Sequence, residues 1–229
     1  MKTQILTAIM LLSSFLSIGQ TKHVEVGGII EPNWAYRSYS TSDFEPDIKF
    51  TGLFAENDMF YIKPVEVSFS VDIVDCTGDS ALSLWTSDYD CIFLFLDFEG
   101  YNDAPIESIN QGKEITMSAN TQFNFTCNNT NYTLQADGEI EDSDTKNYKL
   151  TFSKTGCETK QILVAHEYIN STEVEILFIG DLDGDSEPDI IVNAADNYEN
   201  RWIMLFLSST KQEKELLHLE AEEFNWFDC

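Results

Sequence analysis

The chain is predicted to be mainly β: an antiparallel sheet, sandwich or meander with little helix and a metal-binding loop in a β-hairpin. Three observations predict it. Val65, Val67, Phe69, Val71 and Ile73 alternate with Glu66, Ser68, Ser70 and Asp72, the period-two signature of a strand with one wet face. From Glu114 onward, short alternating segments recur at regular intervals with turn residues between them. The acidic stretch Gly180-Asp-Leu-Asp-Gly-Asp-Ser-Glu-Pro-Asp189 lies between two apolar runs, Val174 to Ile179 and Ile190 to Val192, as the connection of a hairpin does.

The elements follow in order. His23 to Ile30 reads as a short first strand, ended by Gly27-Gly28 and Pro32. The cluster Trp34, Tyr36 and Tyr39 can stack on sugars or anchor a partner, but aromatics favour strands, and a place at the edge of the core is the better expectation. Pro64 opens the alternating strand from Val65. Asp75 to Asp90 reads as a polar loop interrupted by Leu82-Ser-Leu-Trp85. Cys91 to Phe98 is almost continuously apolar, as in a strand buried on both faces. Further strands are expected at Ile115–Ala119, Phe123–Cys127, Tyr132–Ala136, Tyr148–Phe152, Gln161–Tyr168 and Trp202–Leu207, with turns at Asn128–Asn131 and Gly138. Lys211 to Glu223 fits either a short helix or a last strand.

Met1-Lys2, an uncharged run from Ile5 to Ile18 and small residues near Gly19 have the form of a secretory signal peptide. The expected organisation is a signal peptide at 1–19, a β-rich N-terminal region at 20–112 and a C-terminal β domain at 113–229 carrying the acidic loop. The exported chain is placed in a secreted or periplasmic compartment. No apolar run reaches the length of about 20 residues that spans a bilayer. A formal net charge of −27 argues against nucleic acid and anionic membrane surfaces, which need a basic face. It suits the attraction of divalent cations. Oxidising conditions make disulfides an expectation for Cys76, Cys91, Cys127, Cys157 and Cys229. The local pairings are Cys76 with Cys91 and Cys127 with Cys157, among fifteen arrangements that sequence leaves open. Asn124, Asn128, Asn131 and Asn170 each open a glycosylation sequon, a count that composition alone can produce.

The acidic loop carries the most specific chemistry. Acidic residues number 40 of 229. Four of them at set positions would arise by chance roughly 0.2 times in such a chain, so spacing alone is weak. More is required here: Asp181, Asp183, Asp185 and Asp189 are all the shortest carboxylate, Gly184 and Pro188 shape a turn, and strands flank it. Alternating oxygens on a tight turn suit Ca²⁺, which takes six to eight at about 2.3–2.6 Å. An EF-hand is excluded, because Ser186 and Val192 stand where that loop needs Gly and Glu.

The spacing resembles the calcium loop of FG-GAP/VCBS-type repeats. The resemblance implies side-chain oxygens from Asp181, Asp183, Asp185 and Asp189 and the backbone carbonyl of Glu187. A looser resemblance runs through Cys91-Ile-Phe-Leu-Phe-Leu, Tyr132-Thr-Leu-Gln-Ala-Asp-Gly, Asn147-Tyr-Lys-Leu, Gln161-Ile-Leu-Val, Ile176 to Asp185, Leu205-Phe-Leu-Ser-Ser and Cys229. It is to secreted Bacteroidetes-type proteins with one such loop and no assigned activity. Ser186 departs from the Gly usual in that loop, and Asn197-Tyr198 stands where a His is frequent.

Enzyme signals are sparse. Gly-x-Ser-x-Gly and His-Glu-x-x-His are both absent. Ser208-Ser-Thr-Lys211 and Lys154-Thr-Gly156 match penicillin-binding motifs in the wrong order, and both are read as chance. Two functions follow. The first is a secreted, non-enzymatic calcium-binding protein in binding, adhesion or envelope structure, with an extracellular protein or glycan as partner. The second is a secreted hydrolase of glycan or peptide with a structural calcium ion.

Overall fold

The structure is a computed structural model, and it describes residues 28–45, 47–57, 59–74, 78–88, 90–98, 101, 104–211 and 215–226. The signal-peptide segment, Cys76 and Cys229 lie outside these residues. The first strands are β1 (Ile29–Ile30), β2 (Ala35–Tyr36), β3 (Phe50–Glu56), β4 (Met59–Pro64), β5 (Val67–Ile73), β6 (Ser80–Thr86) and β7 (Cys91–Leu96). After them come β8 (Ile115–Thr116), β9 (Gln122–Cys127), β10 (Thr130–Glu141), β11 (Asp144–Lys154) and β12 (Lys160–Ile169). The chain continues through β13 (Glu175–Gly180), β14 (Asp189–Asn193), β15 (Asn200–Leu207) and β16 (His218–Trp226). The one helical turn among the described residues is a 3-10 turn at Thr41–Asp43.

The strands form four sheets, ordered β2-β6-β5, β1-β7-β3-β4, β16-β15-β14-β13-β8 and β12-β11-β10-β9. Every paired strand runs antiparallel to its neighbour. The first two sheets come from residues before Asn110 and the last two from residues after Lys113. Three apolar cores lie between them. Tyr36, Phe54, Leu84 and Leu94 fill the space between the first and second sheets. Leu53, Phe95, Phe178 and Leu205 fill that between the second and third. Leu134, Phe152, Ile190 and Phe206 fill that between the third and fourth. The sheets therefore stack in four layers, and the two inner ones are apolar on both faces.

This layering explains the sequence pattern. Inner strands such as β14, buried at every position, read as continuous apolar runs. Outer strands such as β10 and β11 read as alternation, with Tyr132, Leu134 and Ala136 inward on one and Tyr148, Leu150 and Phe152 on the other. A bulge between Ile176 and Phe178 turns Leu177 and Phe178 towards the second core while Ile176 and Ile179 face the third.

Several expectations are corrected. Leu82-Ser-Leu-Trp85 is not a loop interruption but the body of β6. Gly138 does not turn the chain. It lies in β10 beside a bulge, where a Cβ would come 2.8 Å from Thr145 and 3.2 Å from Ala119. Of the two alternatives for Lys211 to Glu223, its described part takes the last strand, β16 from His218. The alternating strand β5 keeps Val67 and Phe69 against the first core, but Val71 and Ile73 are 61% and 62% exposed, because the strand runs past the sheet beneath it. The Cys127–Cys157 bridge is not formed: Cys91, Cys127 and Cys157 are free thiols. Cys91 is buried, and burial pushes its thiol up to about 12.

The N-terminal strands are fastened to the third sheet by polar contacts as well as by the shared core. Arg201 on β15 makes two 2.7 Å bonds to Glu31, and its guanidinium lies over the Trp34 ring. Tyr39 donates to Glu223, and Asn225 to the carbonyl of Ala35. Tyr36 and Tyr39 are buried and belong to the core edge, while Trp34 stays 37% exposed. Among the described residues, no helix is long and apolar enough to cross a membrane.

Candidate metal centre

The acidic loop joins β13 to β14 in the third sheet, with Gly180 paired to Asp189 at its base. Gly180 is required by close approach: a Cβ there would meet the Phe178 ring at 2.8 Å and the Glu107 carbonyl at 3.2 Å. Leu182 is fully buried in the second core and pins the loop inward between two acidic residues. Gly184 and Ser186 both adopt positive φ, 82° and 73°. These left-handed residues fold the loop back so that its amides face its own carboxylates.

Those carboxylates are closely held. Asp181 accepts from the amides of Gly184 at 2.7 Å and Ser186 at 3.0 Å. Asp183 accepts from the Asp185 amide at 3.2 Å and from the Ser209 hydroxyl. Asp185 accepts from the Glu187 amide at 2.7 Å and from the Ser208 hydroxyl at 2.9 Å. Asp189, wholly buried, accepts from the Leu182 amide at 2.7 Å and the Ser208 amide at 2.8 Å. Glu187 turns away and is gripped by Lys154 at 2.7 Å and Lys211 at 2.5 Å.

The result is convergence. One oxygen from each of Asp181, Asp183 and Asp189 lies within 4.8 Å of the others. Oxygens around a cation with bonds of about 2.4 Å can be no more than about 5 Å apart, so this group could hold a metal ion. Among the described residues no Lys or Arg pairs with Asp181, Asp183, Asp185 or Asp189, since the two nearby ammonium groups are taken by Glu187. Electrostatics reflect that arrangement. Burial, then the Asp183 charge, pushes the Asp189 carboxyl well up, against the pull of the Ser208 and Leu182 amides. Burial also raises Asp181, opposed by its two amide donors. Burial would raise Glu187 too, but Lys154 and Lys211 outweigh it and hold the carboxyl below its ordinary value.

Of the five sequence-predicted ligands, Asp181, Asp183 and Asp189 converge. Asp185 stands beside them through Ser208. The Glu187 side chain does not join, and only its carbonyl is left for the role that the resemblance implies. Sequence reasoning missed the second wall of the site. Ser208, Ser209 and Lys211, dismissed as a chance motif, form the turn after β15 that caps the loop. Asn128 was missed as well: its side-chain amide donates to the Ser186 carbonyl at 2.7 Å from the β9–β10 turn. The strand order of the sheet brings these residues in, and no local pattern announces that. His166 and His218 are engaged elsewhere, with the Ala194 carbonyl and Glu215.

Fold and site together define a mainly β, antiparallel protein with one acidic hairpin loop able to hold a cation. No protein-family model, curated protein or solved structure matches the chain.

Proposed function

We propose that the chain is a secreted, non-enzymatic Ca²⁺-binding protein serving binding, adhesion or envelope structure. Asp181, Asp183, Asp185 and Asp189 give side-chain oxygens, and Glu187 gives its backbone carbonyl. The observation that carries this reading is a wholly buried Asp189 converging with two further carboxylates, none of them paired with a described Lys or Arg. Burying an unpaired carboxylate is costly unless a cation compensates it. Oxygen-only ligands on a short loop suit a hard cation of calcium size.

The role of the ion is structural. It bonds the hairpin of an inner sheet to itself, against a turn that already holds the same carboxylates through Ser208 and Ser209. Export rests on the signal-like N-terminus, and the acidic surface suits a soluble extracellular protein.

Scanning calorimetry in Ca²⁺ and in EDTA tests the proposal. At a free ion concentration about 100 times Kd, the native state gains about 2.7 kcal/mol, and the melting temperature of a chain this size rises by about 5–10 °C. Asp181→Ala removes the gain. An unchanged melting temperature in wild type, with Asp181→Ala also silent, would sink the calcium assignment.

A further inference from the structure

A cavity of about 1120 Å³ opens where β3 begins and β4 and β7 end, and it shares no lining residue with the acidic loop. Its floor is aromatic. Phe44 lies 5.0 Å from Phe69 and 6.2 Å from Phe50, centroid to centroid, and Phe50 lies 6.2 Å from Phe69. Phe98 and Tyr101, stacked on each other, form a second apolar wall. Phe69 remains 38% exposed although it packs on this cluster, so the cluster ends in open space rather than in a closed core. The rim carries three carboxylates, Glu45, Glu66 and Asp97, against one ammonium, Lys49.

These features select a ligand class. A concave cavity of this size with aromatic walls suits a small molecule. Aromatic faces attract apolar bodies and cations alike. Three carboxylates to one ammonium, on a chain of formal charge −27, repel anions and favour a cationic head. We propose that this cavity binds a small amphiphile with an apolar body and a protonated-amine head, with Phe44, Phe50 and Phe69 holding the body and the rim carboxylates the head.

Isothermal titration of the full chain with dodecylammonium, dodecyl maltoside and dodecyl sulfate, each below its micelle concentration, tests it. One saturable site for dodecylammonium is expected, at least about tenfold tighter than for dodecyl sulfate. The double variant Glu45→Lys/Glu66→Lys changes two exposed residues, keeps the fold and loses about tenfold in affinity for the amine. Phe69→Ser weakens all three probes. The proposal is overturned by the absence of a saturable site, by equal affinity for the three probes, or by an unchanged double variant.

Discussion

Replacing Ser186 by Gly should stabilise this protein, against the usual expectation for adding a glycine. Ser186 holds φ of 73°, in the left-handed region. A side chain there costs about 1–2 kcal/mol. Glycine removes that strain but adds freedom to the unfolded chain, worth about 0.5–1 kcal/mol in the other direction. The net gain is about 0.5–1 kcal/mol. The bonds Ser186 makes are backbone ones, its amide to Asp181 at 3.0 Å and its carbonyl from Asn128 at 2.7 Å, so the substitution leaves them in place. The side chain itself is exposed. For a chain of this size the gain corresponds to a rise of about 2–3 °C in melting temperature. Urea unfolding and calorimetry, each in EDTA and in Ca²⁺, measure it. The same gain should be present in both conditions, with calcium affinity undiminished, because Asp181 keeps its donor. A variant equal to wild type or less stable would refute the strain argument. A loss of calcium affinity would show that Ser186 contributes more than its backbone.

Three further outcomes follow from the contacts. Glu187→Gln should lose about 1 kcal/mol of stability, as its grip on the two half-exposed lysines weakens, while calcium affinity stays within about twofold; a tenfold loss would make the side chain a ligand. Glu31→Ala should cost about 3 kcal/mol in urea unfolding, because it strands Arg201 between the N-terminal strands and β15; a cost under about 1 kcal/mol would mean that water reaches the guanidinium freely. The pH dependence should differ with and without the ion. Asp189 has its folded pKa raised, so the native state holds more protons than the unfolded one just above the ordinary carboxylate range, and in EDTA this group's contribution falls as pH rises there. Glu187, with its pKa lowered, contributes stability above that range and loses it as pH falls. Calcium should abolish the Asp189 trend, and its affinity should weaken on acidification before ordinary carboxylates titrate. Identical pH profiles in EDTA and Ca²⁺ would count against the linkage.

The class of fold was legible because period and burial agree in the outer sheets and in the inner runs. Tyr132, Leu134 and Ala136 alternate because one face of their sheet is wet, and Ile190 to Val192 do not because neither face of theirs is. Position was less legible. Val71 and Ile73 carry the same alternation as Phe69 yet stand in solvent, since a strand's pattern does not tell where the sheet beneath it stops. At the acidic loop the carboxylates were readable from their spacing and residue type. Leu182, the inward anchor, is hidden by its acidic neighbours. Ser208, Ser209 and Lys211 reach the loop through strand order, which depends on pairings far apart in the chain. The cavity bounded by Phe44, Phe69 and Phe98 likewise arises from segments that no local pattern links.

Direct titration of Ca²⁺ into EDTA-stripped, dialysed protein tests the metal centre most directly. One ion per chain is expected, with proton release that grows as the pH falls towards the raised pKa of Asp189, and with the binding heat lost in Asp181→Ala. No saturable heat in wild type, or full binding in Asp181→Ala, would contradict it.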